Sequence, residues 1–297
     1  MSLYATFSQI LQEWNSVFPQ KRSFDRALRL SICCLCSFGR RTLSRAIAFA
    51  GLDQVDWAAD YRLFSRCKWE KKLLFRPVLR KSVELINDEV IAVAFDDTVI
   101  KKKGRKIPGT RWLRDSLSPV FNVNIIWGIR FLQASVLLPL YNKDKLTAPR
   151  GIPVQFNEVP PVQRPKKNAP KEEWEAYEVE KKTRNLSFYF VNALKELREE
   201  LDELGLVNKV LLAVVDGSFC NKTCMLVNLA RVELIARLRK NAQLCFKLKR
   251  PEGKRFYSKK TFTPEGVRKD EKIKWSNASV FHGGDFRDIR YKEVREV

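Results

Sequence analysis

The sequence predicts an α/β protein: a mixed sheet with flanking helices, preceded by an all-helical N-terminal domain. Three observations carry that expectation. Residues 1–88 hold apolar side chains at three- and four-residue spacing, the signature of packed helices. From Val90 the pattern switches to short, continuous apolar runs bounded by turn residues. Those runs follow the order strand, strand, strand, helix, strand, helix, strand, which implies one sheet with helices against it. The 297 residues suit one large or two ordinary domains, and we expect a division into 1–88 and 89–297.

In the first part, Leu3, Phe7, Ile10, Leu11 and Trp14 share one helix face. A second helix, FDRALRLSICCLCSF, follows the break at Pro19. Thr42 is placed to cap a short helix that Gly51 ends, and another helix starts near Val55. Two short helices across a glycine turn, with Arg40, Arg41 and Arg45 on the first, have the form of a helix-turn-helix DNA reader. A plain packed helical pair explains the apolar positions equally well.

The stretch VIAVAF (Val90–Phe95) is apolar at every position and reads as an interior strand covered on both faces. It runs into Asp96-Asp97-Thr98 and then into a basic cluster containing Lys101, Lys102 and Lys103. SPVFNVNIIWGI and RFLQASVLLPL read as two further strands. The Pro- and Lys-rich text at about 148–171 reads as a long surface connection, and Lys171–Leu204 as one long helix with Trp174, Tyr177, Leu186, Phe190, Leu194, Leu197 and Leu201 on its buried stripe. KVLLAVVDGSF is a fourth strand that also meets an aspartate, Asp216. NKTCMLVNLARV reads as a helix and LIARLRKNAQLCFKL as a strand. From about residue 250 the text is basic and turn-rich, closing on a strand-like IRYKEVREV.

Composition narrows the function. Lys and Arg outnumber Asp and Glu by 56 to 34, a formal net charge of +22 spread along the whole chain, which points to a polyanionic partner and first to nucleic acid. No apolar run approaches the roughly 20 residues of a membrane span, and the N-terminus lacks the features of a signal peptide. Seven cysteines, three of them crowded at Cys33, Cys34 and Cys36, fit the reducing interior of a cytoplasmic protein. Cys220 and Cys224 have no accompanying pair for zinc, and the single histidine, His282, argues against a His-based triad.

Two neighbouring strands that each meet an aspartate suggest a site at their carboxyl ends. A hard divalent ion needs only one or two protein carboxylates beside waters and substrate phosphates, and paired ions serve phosphodiester chemistry. Neighbouring strand residues face opposite ways, so one metal takes only one of Asp96 and Asp97.

The motifs D-x-T (Asp96–Thr98, followed by KKKG) and D-G-S-F (Asp216–Phe219), with Arg237, Arg239 and Lys240 downstream and GRRTLSRA upstream, resemble the ribonuclease-H-like core of bacterial insertion-sequence DDE transposases. The resemblance covers most of the chain, through short motifs in a shared order. It implies metal-dependent hydrolysis at transposon ends and attack of the freed 3′-OH on target DNA. It further implies Mg²⁺ or Mn²⁺, two ions, held by Asp96 and Asp216 as the catalytic ligands, with Asp97 the alternative. The partners implied are double-stranded DNA, as transposon ends and as target, and a second copy in a homodimer on DNA, with no membrane. The location implied is the bacterial cytoplasm, at the nucleoid.

The family completes its site with a glutamate on a late helix within a Y…R…E…K signature. That signature has no counterpart here; Glu293 and Glu296 lie in strand-like text, and neither is assigned the role. The expectation is therefore a chain truncated before its third carboxylate. Two alternatives stand beside the enzyme: a non-catalytic transposase derivative that binds DNA and acts as an inhibitor, and a Mg-dependent haloacid-dehalogenase-type phosphatase. The second wants D-x-D, where this chain has Thr98.

Overall fold

The computed structural model describes residues 3–115, 117–119, 121–142, 145–252, 255–282 and 285–295. The chain divides into two compact units, 1–84 and 85–297.

The first unit is helical: α1 (Leu3–Gln12), α2 (Lys21–Cys36), α3 (Leu43–Phe49), α4 (Ala58–Ser65) and α5 (Lys71–Glu84). Phe24, Ala27, Leu30 and Cys33 recur along one face of α2 and bury there, against Ala46 and Ile47 of α3 and Leu63 of α4. Thr42 caps α3 as the sequence predicts, its hydroxyl accepting the Arg45 N–H at 3.3 Å. Gly51 follows α3 with φ +68°, a left-handed conformation that a side chain would strain. The next helix starts at Ala58 rather than near Val55. Asp60 of α4 is buried at 2% exposure, with Arg29 donating to it at 2.5 Å.

The second unit is built on a six-stranded mixed sheet, and its fold is ribonuclease-H-like. The strands are β1 (Val90–Lys101), β2 (Arg111–Arg114), β3 (Ile125–Asn142), β4 (Lys145–Glu158), β5 (Val210–Val215) and β6 (Val232–Ala236). Their order is β2-β3-β1-β5-β6, with β4 also on β3; β1 runs antiparallel to β3 and parallel to β5, and β6 is parallel to β5.

The connection from β4 to β5 carries α6 (Lys171–Thr183) and α7 (Leu186–Glu203). Phe190, Leu194, Leu197 and Leu201 of α7 are fully buried, and Phe190 meets Phe95 of β1 edge-on at 5.1 Å. This face of the sheet takes Ile91, Val93 and Phe95 in β1 and their register partners Leu211, Ala213 and Val215 in β5, all buried. The opposite face carries Ala92, Ala94, Leu212 and Val214, only half-buried. VIAVAF is thus closed over on one face, not both, which is why its small residues alternate with its large ones.

Several expectations need correction. The strand does not end at the aspartates: β1 continues through Asp96 and Asp97 to Lys101, paired with β3. The two apolar runs after Ser118 are one strand, β3, whose single interior charge, Arg130, stands where a break was read. The first part of the supposed surface connection, residues 148–158, is β4; only residues 159–170 link it to α6. The long helix is two, because Asn185 begins a new one by accepting the Phe188 N–H at 3.1 Å; α6 buries none of its residues, so Trp174 and Tyr177 leave the buried stripe.

After β5 the helix expected over NKTCMLVNLARV shrinks to α8 (Lys222–Met225). LIARLRKNAQLCFKL is split between β6 and β7 (Leu244–Glu252), which belong to different sheets. β7 pairs with β8 (Arg255–Phe262), then come α9 (Pro264–Lys269) and a hairpin of β9 (Ser276–His282) and β10 (Asp285–Tyr291). The final strand stops at Tyr291; Lys292 turns back to donate to the carbonyls of Val267, Arg268 and Asp270, capping α9. Among the described residues, no helix is long and apolar enough to cross a membrane.

Candidate active site

The central feature is a register. β1 and β5 run parallel with residues matched from Val90↔Val210 to Phe95↔Val215. The next position on each strand is an aspartate, Asp96 and Asp216. Strand alternation sends Asp96 toward the half-open face, away from α7, while Asp216 opens the turn that follows β5. Both are exposed. Asp97, one step on, falls on the α7 face opposite Leu132 of β3.

The DGSF tetrapeptide gives each residue a separate task. An Asp216 carboxylate oxygen accepts from the Ser218 N–H at 2.9 Å and from the Ser218 hydroxyl at 2.5 Å, which fixes its rotamer. Gly217 lets the Arg237 carbonyl approach, since a Cβ there would lie 3.3 Å from it. Phe219 is fully buried and packs on Phe190 at 5.1 Å, anchoring the turn beneath α7. Asn221 then caps α8 and donates to the Ser187 hydroxyl at 2.9 Å.

Asp96 and Asp97 differ in surroundings although they are adjacent. An Asp96 oxygen accepts the Asp97 N–H at 2.8 Å and otherwise faces solvent. The Asp97 carboxylate lies 3.1 Å from Arg130 Nε. Burial pushes the Asp97 carboxyl above the usual range; Arg130 opposes this, and the negative charges of Asp96 and Asp216 add to it. Asp97 therefore feels the charge of both other carboxylates. Arg111 stands close enough to Arg130 for the two cations to repel, and burial and that repulsion lower its pKa.

Hard oxygen donors without imidazole or thiolate suit Mg²⁺ or Mn²⁺. Two exposed carboxylates that directly follow the matched residues of adjacent strands suit such an ion, which fills its shell with water and phosphate oxygen. Among the described residues, no group of three or more His, Cys, Asp or Glu side chains is gathered to hold a metal.

The expected cationic residues fall into three places. Arg237, Arg239 and Lys240 are exposed just beyond β6, beside the Asp216–Gly217 turn. Lys101 ends β1 and Lys102 and Lys103 follow it, roughly 16 Å along the strand direction from Asp96 at about 3.3 Å per residue. Arg40 and Arg41 precede α3 and Arg45 lies within it, all three exposed in the first unit. Glu293, in the tail after β10, is bonded by Arg295 at 2.8 Å and drawn down in pKa by it. Glu296 lies outside the described residues.

Arg130 and Ser218 escaped the sequence reading. A lone charge inside an apolar strand is a readable signal for Arg130; the bond from Ser218 to Asp216 is readable only in the folded turn. A family model described as DDE superfamily endonuclease matches residues 16–293. No curated protein matches the chain.

Proposed function

The chain belongs to the DDE superfamily of endonucleases, and from that membership we propose that it is an insertion-sequence transposase. In this reading it binds transposon-end double-stranded DNA and catalyses metal-dependent phosphodiester hydrolysis, then strand transfer into target DNA. The observation that carries the reading is the β1–β5 register, whose last matched pair, Phe95 and Val215, is followed on each chain segment by an aspartate, Asp96 and Asp216.

Asp96 and Asp216 would hold the Mg²⁺ or Mn²⁺ ions. Such ions, when bound, stabilise charge on the phosphodiester oxygens and make an attacking water or 3′-hydroxyl more nucleophilic. Ser218 presets the Asp216 rotamer, so little order has to be gained on loading. Arg130 holds Asp97 on the α7 side and keeps it out of the same shell. Arg237, Arg239 and Lys240 meet the phosphates nearest Asp216, while Lys101, Lys102 and Lys103 meet them farther along the duplex. Arg40, Arg41 and Arg45 contact DNA from the first unit, and two copies act together on the ends.

Nicking of supercoiled plasmid carrying the element's ends, in Mn²⁺, tests this together with calorimetric metal titration. Asp96→Ala and Asp216→Ala should each lose more than the roughly 10–100-fold that outer-shell changes cost at metal sites. Asp97→Ala should be milder, and EDTA should abolish nicking. Metal binding by Asp96→Ala equal to wild type would move the first ligand to Asp97 or remove the site.

One observation favours a second reading, a non-catalytic DNA-binding derivative that occupies ends as an inhibitor: among the described residues no third ligand joins the pair. Tight DNA binding with no Mn²⁺-dependent nicking would select it. The phosphatase alternative has no comparable support, since Thr98 replaces its second aspartate and the family is one of endonucleases.

A further inference from the structure

The segment joining β1 to β3 carries large apolar side chains where no core exists. Trp112 is 59% exposed and Phe121 92%. β2 pairs with β3 so that Trp112 stands opposite Trp127, with ring centroids 5.4 Å apart in an edge-on arrangement. On the alternate positions, Leu113 of β2 is buried and its register partner Ile126 on β3 is half-buried. The hairpin is therefore held to the sheet by one face and offers a Trp pair on the other.

Positive charge is built around that pair. Between Lys101 and Trp127 the chain has seven basic residues and one acidic residue. The acid, Asp115, is matched by Lys101 at 3.3 Å. Two hydrogen bonds tie the basic loop to the aromatic pair: Trp127 Nε1 donates to the Gly104 carbonyl at 3.1 Å, and the Lys102 N–H donates to the Trp127 carbonyl at 2.9 Å. The rings and the cations thus form one unit.

An occupant of this surface must combine dense negative charge with flat apolar faces. Nucleic acid does so, but a paired duplex hides the faces of its bases inside the stack; only unpaired or splayed nucleotides present them. A protein partner would use the apolar surface and leave the cations unmatched. We propose that the β2–β3 hairpin is a DNA-end arm, in which Trp112 stacks on an unpaired base while the basic loop holds the adjoining phosphates. The proposal rests on the DNA-binding reading above and adds a preference for locally opened strands.

The test uses the full chain, a paired 30-mer duplex, and the same duplex with a splayed end carrying 2-aminopurine. Wild type should bind the splayed form more tightly and quench its fluorescence. Trp112→Ala should weaken splayed-end binding on the order of tenfold, the scale of one lost base stack, and leave paired-duplex binding within about twofold. Trp112→Phe should restore most of the preference, which a mere folding defect would not allow. Equal splayed-end binding by wild type and Trp112→Ala overturns the arm while leaving the DNA reading intact. So does equal weakening on both DNAs, or a change in sedimentation with no change in quenching, which would mark a contact between copies. Failure of wild type to bind either DNA overturns the arm and the DNA reading together.

Discussion

Two adjacent aspartates show how far side-chain chemistry depends on the face of a strand. Asp96 and Asp97 are indistinguishable by composition, yet one faces solvent and the other lies beside Arg130. The alternation rule separates them in the sequence; the partner of Asp97 does not emerge there, because Arg130 reads as the start of a strand rather than a charge inside one. A second acid, Asp60, was invisible for the opposite reason: it sits among ordinary surface-looking residues and only packing buries it. With Arg29 at 2.5 Å and Arg26 at 3.9 Å, it compensates two cations from α2. Asp60→Ala should destabilise the helical unit by about 1–3 kcal/mol, since it removes a charge-assisted hydrogen bond from Arg29, whose guanidinium still reaches solvent. Denaturant unfolding followed by helical circular dichroism checks this, and an unchanged midpoint would mean that water replaces the carboxylate.

Elements were legible where hydrophobic period and caps agreed. Thr42, α3 and Gly51 follow the sequence rule, as does the buried stripe of α7. β4 was not legible because its prolines argue against a strand. Pro153 is accommodated since β4 pairs with β3 alone and the register shifts between Ala134 and Ser135, so no ladder bond needs its missing N–H. The split between α6 and α7 hinged on one cap. Asn185→Ala should cost about 1 kcal/mol in the unfolding of the sheet unit, as lost N-caps do. In α9, the Arg268 guanidinium beside Glu265 draws its carboxyl down to about 2 from an ordinary 4.5. Because the folded value is depressed, the stability it lends is present above about 4.5 and is lost as pH falls toward 2. Glu265→Gln should flatten that acid limb in thermal melts taken across the range; a slope identical to wild type would assign the limb to other acids.

At the scale of the whole molecule, charge dominates. A net +22 implies several phosphate contacts, each steepening the log–log dependence of DNA affinity on salt by about 0.9. Affinity measured from low to moderate salt should fall steeply, and a flat line would remove the nucleic-acid reading. Replacing Arg40, Arg41 and Arg45 together by alanine should reduce preference for the element's ends more than bulk affinity, as competition between end-containing and unrelated DNA would report. The β1–β5 register has a further consequence, in time rather than in space. Val93–Phe95 are clasped by β3 on one side and β5 on the other, whereas Asp97–Lys101 have β3 alone. Amide protons of the first group should exchange only through large openings of the sheet, and those of the second through brief local ones. Asp96 marks the step between the two regimes. Its carboxylate would stand on backbone that seldom moves while the lysines beyond it flex within milliseconds or faster, free to follow an irregular polyanion. Hydrogen exchange along this one strand should fall into slow and fast halves, and uniform protection from Val93 to Lys101 would refute the division.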